Sequence, residues 1–179
     1  MRIFLVGFMG AGKSVIGRRL AKSLDLSFYD LDEEIESRYK MSVSSIFQKY
    51  DEACFRKLET TVLESFSEKD KFVLSCGGGT PCFGNNMELM NSLGTTIYIK
   101  VQTEELSSRI SASYHKRPLT EGKSDAELAD YVAATLKARE PFYAKSKITV
   151  DATGTDKDAL TEKIVANLQQ FNGQQTAIL

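Results

Sequence analysis

Apolar positions along this chain fall into two rhythms. Short continuous runs stand at Ile3–Val6, Ser27-Phe28-Tyr29, Phe72–Ser75, Thr95–Val101 and Ile148–Val150. Their length and their β-branched and aromatic content predict buried strands. Between them apolar residues recur every three or four positions, which predicts helices at about 13–25, 31–39, 43–68, 85–93, 103–112, 125–139 and 156–171. In the first helix Val15, Ile16, Leu20 and Leu24 would share the buried face. This alternation predicts an α/β fold, a three-layer αβα sandwich around a central five-stranded parallel sheet. Ligands in such folds bind outside the carboxyl ends of the strands. The residues just after each strand therefore carry the chemistry.

Composition narrows the class without naming a partner. A chain of 179 residues suits a single domain over 1–179. Apolar residues at 42% and charged residues at 26% are ordinary for a soluble globular protein. A net charge of -1 gives no general pull toward nucleic acid or an acidic membrane. Cys54, Cys76 and Cys82 form no Cys-x-x-Cys pair, which fits a reducing cytoplasm. The single histidine, His115, excludes a histidine metal cluster. No apolar stretch reaches membrane-spanning length, and the apolar start is broken by Lys13, Arg18 and Arg19, unlike a signal peptide. The expectation is a cytoplasmic protein with no nucleic-acid or membrane partner.

Directly after the first strand comes Gly7-Phe8-Met9-Gly10-Ala11-Gly12-Lys13-Ser14, and Val15 continues into a helix. Strand, glycine-rich turn and helix are the context of a phosphate-binding loop. Glycines let backbone N–H groups close on a polyphosphate, and the helix N-terminus adds positive partial charge. Lys13 would reach the β- and γ-phosphates, and Ser14 would offer its hydroxyl to Mg²⁺. ATP or GTP is the expected ligand.

The second strand ends at Asp30-Leu31-Asp32. One carboxylate can serve Mg²⁺, and the other can orient or deprotonate a hydroxyl. Helix capping is the competing role for either aspartate taken alone. The third strand is followed by Gly77-Gly78-Gly79, suited to close backbone approach to a ligand. Cys76 beside them reads as core. Arg56, Arg109, Arg117 and Arg139 supply planar forks for carboxylate or phosphate. Arg56 also has a local alternative, a helix-surface pair with Glu52 or Glu59. The polar, basic segment at about 111–124 lacks periodicity and is expected to be a mobile lid carrying Arg117. Asn172-Gly173-Gln174-Gln175 reads as a frayed tail. Together these groups suit a small acceptor bearing hydroxyls at one end and an anion at the other.

In this order and spacing the motifs resemble shikimate kinase. They are Gly-x-x-Gly-x-Gly-Lys-Ser at 7–14, Asp-x-Asp at 30–32, Phe-Arg-x-x-Glu at 55–59, Gly-Gly-Gly at 77–79, Arg-Pro-Leu at 117–119 and Arg-x-Pro-x-Tyr at 139–143. The resemblance implies a P-loop NTPase architecture of the nucleoside-monophosphate-kinase type, with a substrate-binding helical region at about 31–60. It implies transfer of the γ-phosphate of ATP to the 3-hydroxyl of shikimate by a monomer. By the same resemblance Gly10, Ala11, Gly12, Lys13, Ser14 and Val15 bind nucleotide. Ser14 and Asp30 hold Mg²⁺, and Asp32 meets the acceptor hydroxyls. Arg56 and Arg139 hold the shikimate carboxylate beside Gly77, Gly78 and Gly79. Arg117 closes on the phosphates, and Arg109 packs near adenine. The adenine-facing loop is expected near Asp151–Gly154.

Other small-molecule P-loop kinases, for gluconate or a nucleoside monophosphate, share the first motif but do not need Phe-Arg-x-x-Glu followed by Gly-Gly-Gly. A non-catalytic nucleotide-binding regulatory module would want a guanine-reading Asn-Lys-x-Asp, which the chain lacks.

Overall fold

A computed structural model describes residues 1–112 and 124–176. Five strands, β1 (Arg2–Val6), β2 (Ser27–Asp30), β3 (Phe72–Ser75), β4 (Thr95–Lys100) and β5 (Ile148–Asp151), form one sheet in the order β2-β3-β1-β4-β5. Every neighbouring pair is parallel, with Leu5 opposite Ser75 and Asp30 opposite Ser75 from the other side. All carboxyl ends therefore lie on one edge. The chain crosses to the left from β1 to β2 and otherwise moves right. Right-handed crossovers then place α1 (Lys13–Ser23) on one face and the later connections on the other. These are α2 (Leu31–Tyr39), α3 (Val43–Lys49), α4 (Glu52–Ser65), α5 (Asn86–Leu93), α6 (Thr103–Ser111) and α7 (Asp125–Tyr143). The last helix, α8 (Lys157–Thr176), packs beside α1.

The central strand is buried throughout Ile3–Val6, as β3 is over Phe72–Ser75, because helices cover both faces. Phe4, Phe66 and Tyr29 all meet Phe72 edge-on at 5.2–6.2 Å between ring centroids. Such contacts add about 0.5–1.5 kcal/mol per pair beyond burial. On α1, Ile16, Leu20 and Ala21 are buried, and Gly17 lets Phe28 approach so closely that a Cβ there would lie 2.5 Å from its ring. Val15, expected on this face, is 44% exposed instead.

Three element boundaries differ from the pattern. The helix expected at 43–68 is broken at Tyr50, which is extended, because the Asp51 carboxylate accepts from the Cys54 N–H at 2.7 Å and starts a new helix. The helix expected to end at Arg139 continues through Pro141 to Tyr143. The expected tail at 172–175 continues α8. His115, Arg117 and most of the expected lid at 111–124 lie outside the described residues.

Candidate active site

The loop after β1 gets its shape from Gly7, Gly10 and Gly12, with φ of 141°, 80° and 89°. These values favour glycine. Space matters too, for a Cβ on Gly7 would stand 2.7 Å from the Ile99 carbonyl oxygen. Helix α1 starts at Lys13 with no side-chain cap, and a helix N-terminus favours an anion. Lys13 is buried, and its ammonium donates to the Gly7 and Phe8 carbonyls at 2.8 and 2.9 Å.

Asp30 does two things at once. As the last residue of β2 it caps α2, with Oδ1 accepting from the Asp32 N–H at 3.1 Å. Its Oδ2 accepts from the Ser14 hydroxyl at 2.6 Å, and Ser75 stands 3.2 Å from that hydroxyl. Capping and cleft chemistry are therefore not alternatives for this residue. Asp32 lies in the first turn of α2 rather than on the strand. A cavity of ≈ 610 Å³ joins Lys13, Ser14, Asp30, Asp32, Gly77 and Gly78.

These oxygens fit a magnesium ion. No group of three or more His, Cys, Asp or Glu among the described residues forms a metal cage. What exists is one hydroxyl and one carboxylate beside a phosphate loop. Mg²⁺ keeps most of its waters and takes one or two protein oxygens plus substrate phosphates, so this sparse set suits it.

At the far side of the glycine turn stand two arginines. Arg56 and Glu59 lie on α4 and are both buried. The Arg56 guanidinium donates to Glu59 at 2.9 Å and to Glu52 at 2.9 and 3.2 Å, and sits 4.3 Å from the Phe83 ring centroid. A Cβ on Gly79 would stand 2.6 Å from Arg56 Nη2. The expected helix-surface pairs thus form, yet the guanidinium is enclosed and lies against the glycine turn. Burial works against its charge, but Glu59 and Glu52 together hold its pKa above the ordinary value. Arg139 Nη1 would lie 3.5 Å from a Cβ on Gly78. Both arginines act on Cys82, whose thiol burial nevertheless pushes up to about 11. Cys76 is buried core, and burial raises its pKa.

In the sequence Glu59 stands only as the end of a motif and as an alternative surface partner of Arg56. It accepts from Thr80 as well as Arg56, and the Asn86 amide in turn donates to the Thr80 carbonyl at 3.0 Å. Its spacing three residues after Arg56 was the available signal. A second cavity, also ≈ 610 Å³, lies on the other side of the phosphate loop between Gly10–Gly12, Val15, Arg109 and Thr155–Lys157. Arg109 pairs with Glu105 and donates to the Gly10 carbonyl at 3.3 Å. The residues after β5 that line this cavity begin just beyond the expected Asp151–Gly154.

Residues 9–169 match the shikimate kinase family. The chain is 49% identical over 151 residues to shikimate kinase from Parabacteroides distasonis, covering 84% of this chain and 87% of that one. Its fold is similar to the crystal structure of shikimate kinase from Bacteroides thetaiotaomicron, with a TM-score of 0.88 and 38% identity over 97% and 98% of the two chains. It is also similar to shikimate kinase from Acinetobacter baumannii in complex with shikimate, with a TM-score of 0.85 and 31% identity over 94% and 93%.

Proposed function

The chain belongs to the shikimate kinase family, and from that membership we infer an ATP-dependent kinase that phosphorylates shikimate, giving shikimate 3-phosphate and ADP. The observation that carries this reading is the arrangement of the cleft. A phosphate loop with its lysine, serine and aspartate faces Asp32, and the glycine turn beyond is backed by two arginines.

In this reading the loop amides and the start of α1 hold the polyphosphate of ATP. Lys13 leaves the Gly7 and Phe8 carbonyls to meet the β- and γ-phosphates. Ser14 and Asp30 would hold Mg²⁺, which would neutralise phosphate charge during transfer. The adenine lies in the second cavity against Arg109, with Val15 and Thr155 beside it. Shikimate enters with its carboxylate toward Arg56 and Arg139 and its hydroxyls toward Asp32. The acceptor oxygen forms a bond to the γ-phosphorus as the bond to the β,γ-bridging oxygen breaks, and Asp32 orients the hydroxyl and takes its proton. Arg117, outside the described residues, meets the transferring phosphoryl group.

Two arginines beyond the glycine turn give an anionic acceptor a place that a neutral sugar does not need. Among the described residues no helix is long and apolar enough to cross a membrane, and both substrates are water-soluble. ADP release measured with shikimate, gluconate and several nucleoside monophosphates tests the reading. Shikimate should be turned over fastest, and faster turnover of any other acceptor sinks it.

A further inference from the structure

Tyr143, at the end of α7, is fully buried although it carries a hydroxyl. Its ring packs on Tyr98 of β4 with centroids 5.1 Å apart. The hydroxyl donates to the Gly78 carbonyl at 2.5 Å, and the Arg139 guanidinium, one helical turn earlier, acts on it electrostatically. Both partners belong to the end of the cleft assigned to the acceptor carboxylate.

The contact with Gly78 has a geometric consequence. No peptide among the described residues is cis, and in a trans peptide the C=O and the next N–H point in opposite directions. Drawing the Gly78 carbonyl toward Tyr143 therefore turns the Gly79 N–H away from it. The turn's own hydrogen bonds run from the Thr80 N–H to the Gly77 carbonyl and from the Cys82 N–H to the Gly79 carbonyl, and neither uses that N–H. Gly79 itself lies against the Arg56 guanidinium. A peptide between two glycines has little intrinsic preference for one orientation, so an external anchor decides it.

We infer that Tyr143 is a positioning residue for the acceptor carboxylate: its buried hydroxyl sets the Gly78–Gly79 peptide beside the Arg139 guanidinium, so that a guanidinium and a backbone N–H meet the same anion. Burial raises the Tyr143 pKa, so the hydroxyl keeps its proton and stays a donor. Phenylalanine there would keep the packing on Tyr98 and lose the tether on the Gly78 carbonyl.

The inference rests on shikimate being the acceptor. The test compares kcat/KM for shikimate and for its methyl ester, which lacks the charge, in wild type and Tyr143→Phe. The variant should lose about tenfold with shikimate, chiefly through KM, and stay near wild type with the ester and in KM for ATP. Equal losses with shikimate and ester, or none with either, overturn the role of Tyr143. A wild-type enzyme that ignores shikimate overturns the acceptor reading itself, and this inference with it. A second measurement needs no variant. The Gly79 amide, followed by hydrogen exchange in the wild type, should gain protection when shikimate is added, and unchanged protection overturns the proposal.

Discussion

Gly79→Ala isolates the contact between the glycine turn and Arg56. The backbone there has φ -91° and ψ -18°, which alanine accepts, so the effect is purely steric. The new Cβ would stand 2.6 Å from Nη2 and 2.8 Å from Cζ and Nη1 of Arg56. Ordinary contact would require the guanidinium to retreat by about 0.8 Å or more. It cannot swing aside cheaply, because Glu59, Glu52 and the Phe83 ring hold it on three sides. Overpacking of this kind costs about 1–3 kcal/mol, equivalent to a drop in Tm of about 2–4 °C per kcal/mol for a domain of this size. A misplacement of about 1 Å in a substrate-positioning group costs about 10²-fold in rate. Steady-state kinetics with shikimate varied at saturating ATP should therefore show kcat/KM lower by about 10²-fold. With ATP varied at saturating shikimate, KM should stay within about twofold of wild type. Wild-type kcat/KM for shikimate in a folded Gly79→Ala protein would refute the placement of Arg56 in the acceptor site.

Glu59→Gln leaves the buried Arg56 guanidinium without its full counter-charge and should destabilise the fold by about 3 kcal/mol, read by urea unfolding; an unchanged midpoint would mean the pair contributes nothing. Asp32→Asn should lower kcat by about 10²–10⁴-fold while nucleotide affinity, read by calorimetry, stays near wild type; lost ATP binding would assign Asp32 to the nucleotide side. Chelation by EDTA should abolish turnover and added Mg²⁺ restore it, with Ser14→Ala shifting the Mg²⁺ dependence to higher concentration; full activity in EDTA would remove the metal from the account.

Much of the site was legible because phosphate chemistry is written in local sequence. Gly7–Ser14 sits between a strand and a helix, and only the backbone makes that loop, so its geometry follows from spacing. The sheet was legible for a related reason: strands buried on both faces read as unbroken apolar runs, as at Ile3–Val6 and Phe72–Ser75. The acceptor end was harder. Arg56 meets Gly79, and Tyr143 meets Gly78, only through tertiary packing, and the pairing of Arg56 with Glu52 and Glu59 looks the same in sequence whether the helix face is wet or enclosed. The Asp51 cap that splits the long helix was hidden inside an unbroken helical pattern. Val15 fits the apolar stripe of α1 by periodicity yet is exposed, because it lies in the first turn of the helix and lines the second cavity rather than the core.

The central claim is that this cleft directs the γ-phosphoryl group of ATP to one hydroxyl of an acceptor held by its carboxylate. Phosphorus-31 NMR of the product formed from ATP and shikimate tests it most directly. The account predicts a single phosphate monoester on the 3-oxygen, formed in step with ADP. An ester at another position, or ADP accompanied only by inorganic phosphate, would contradict it.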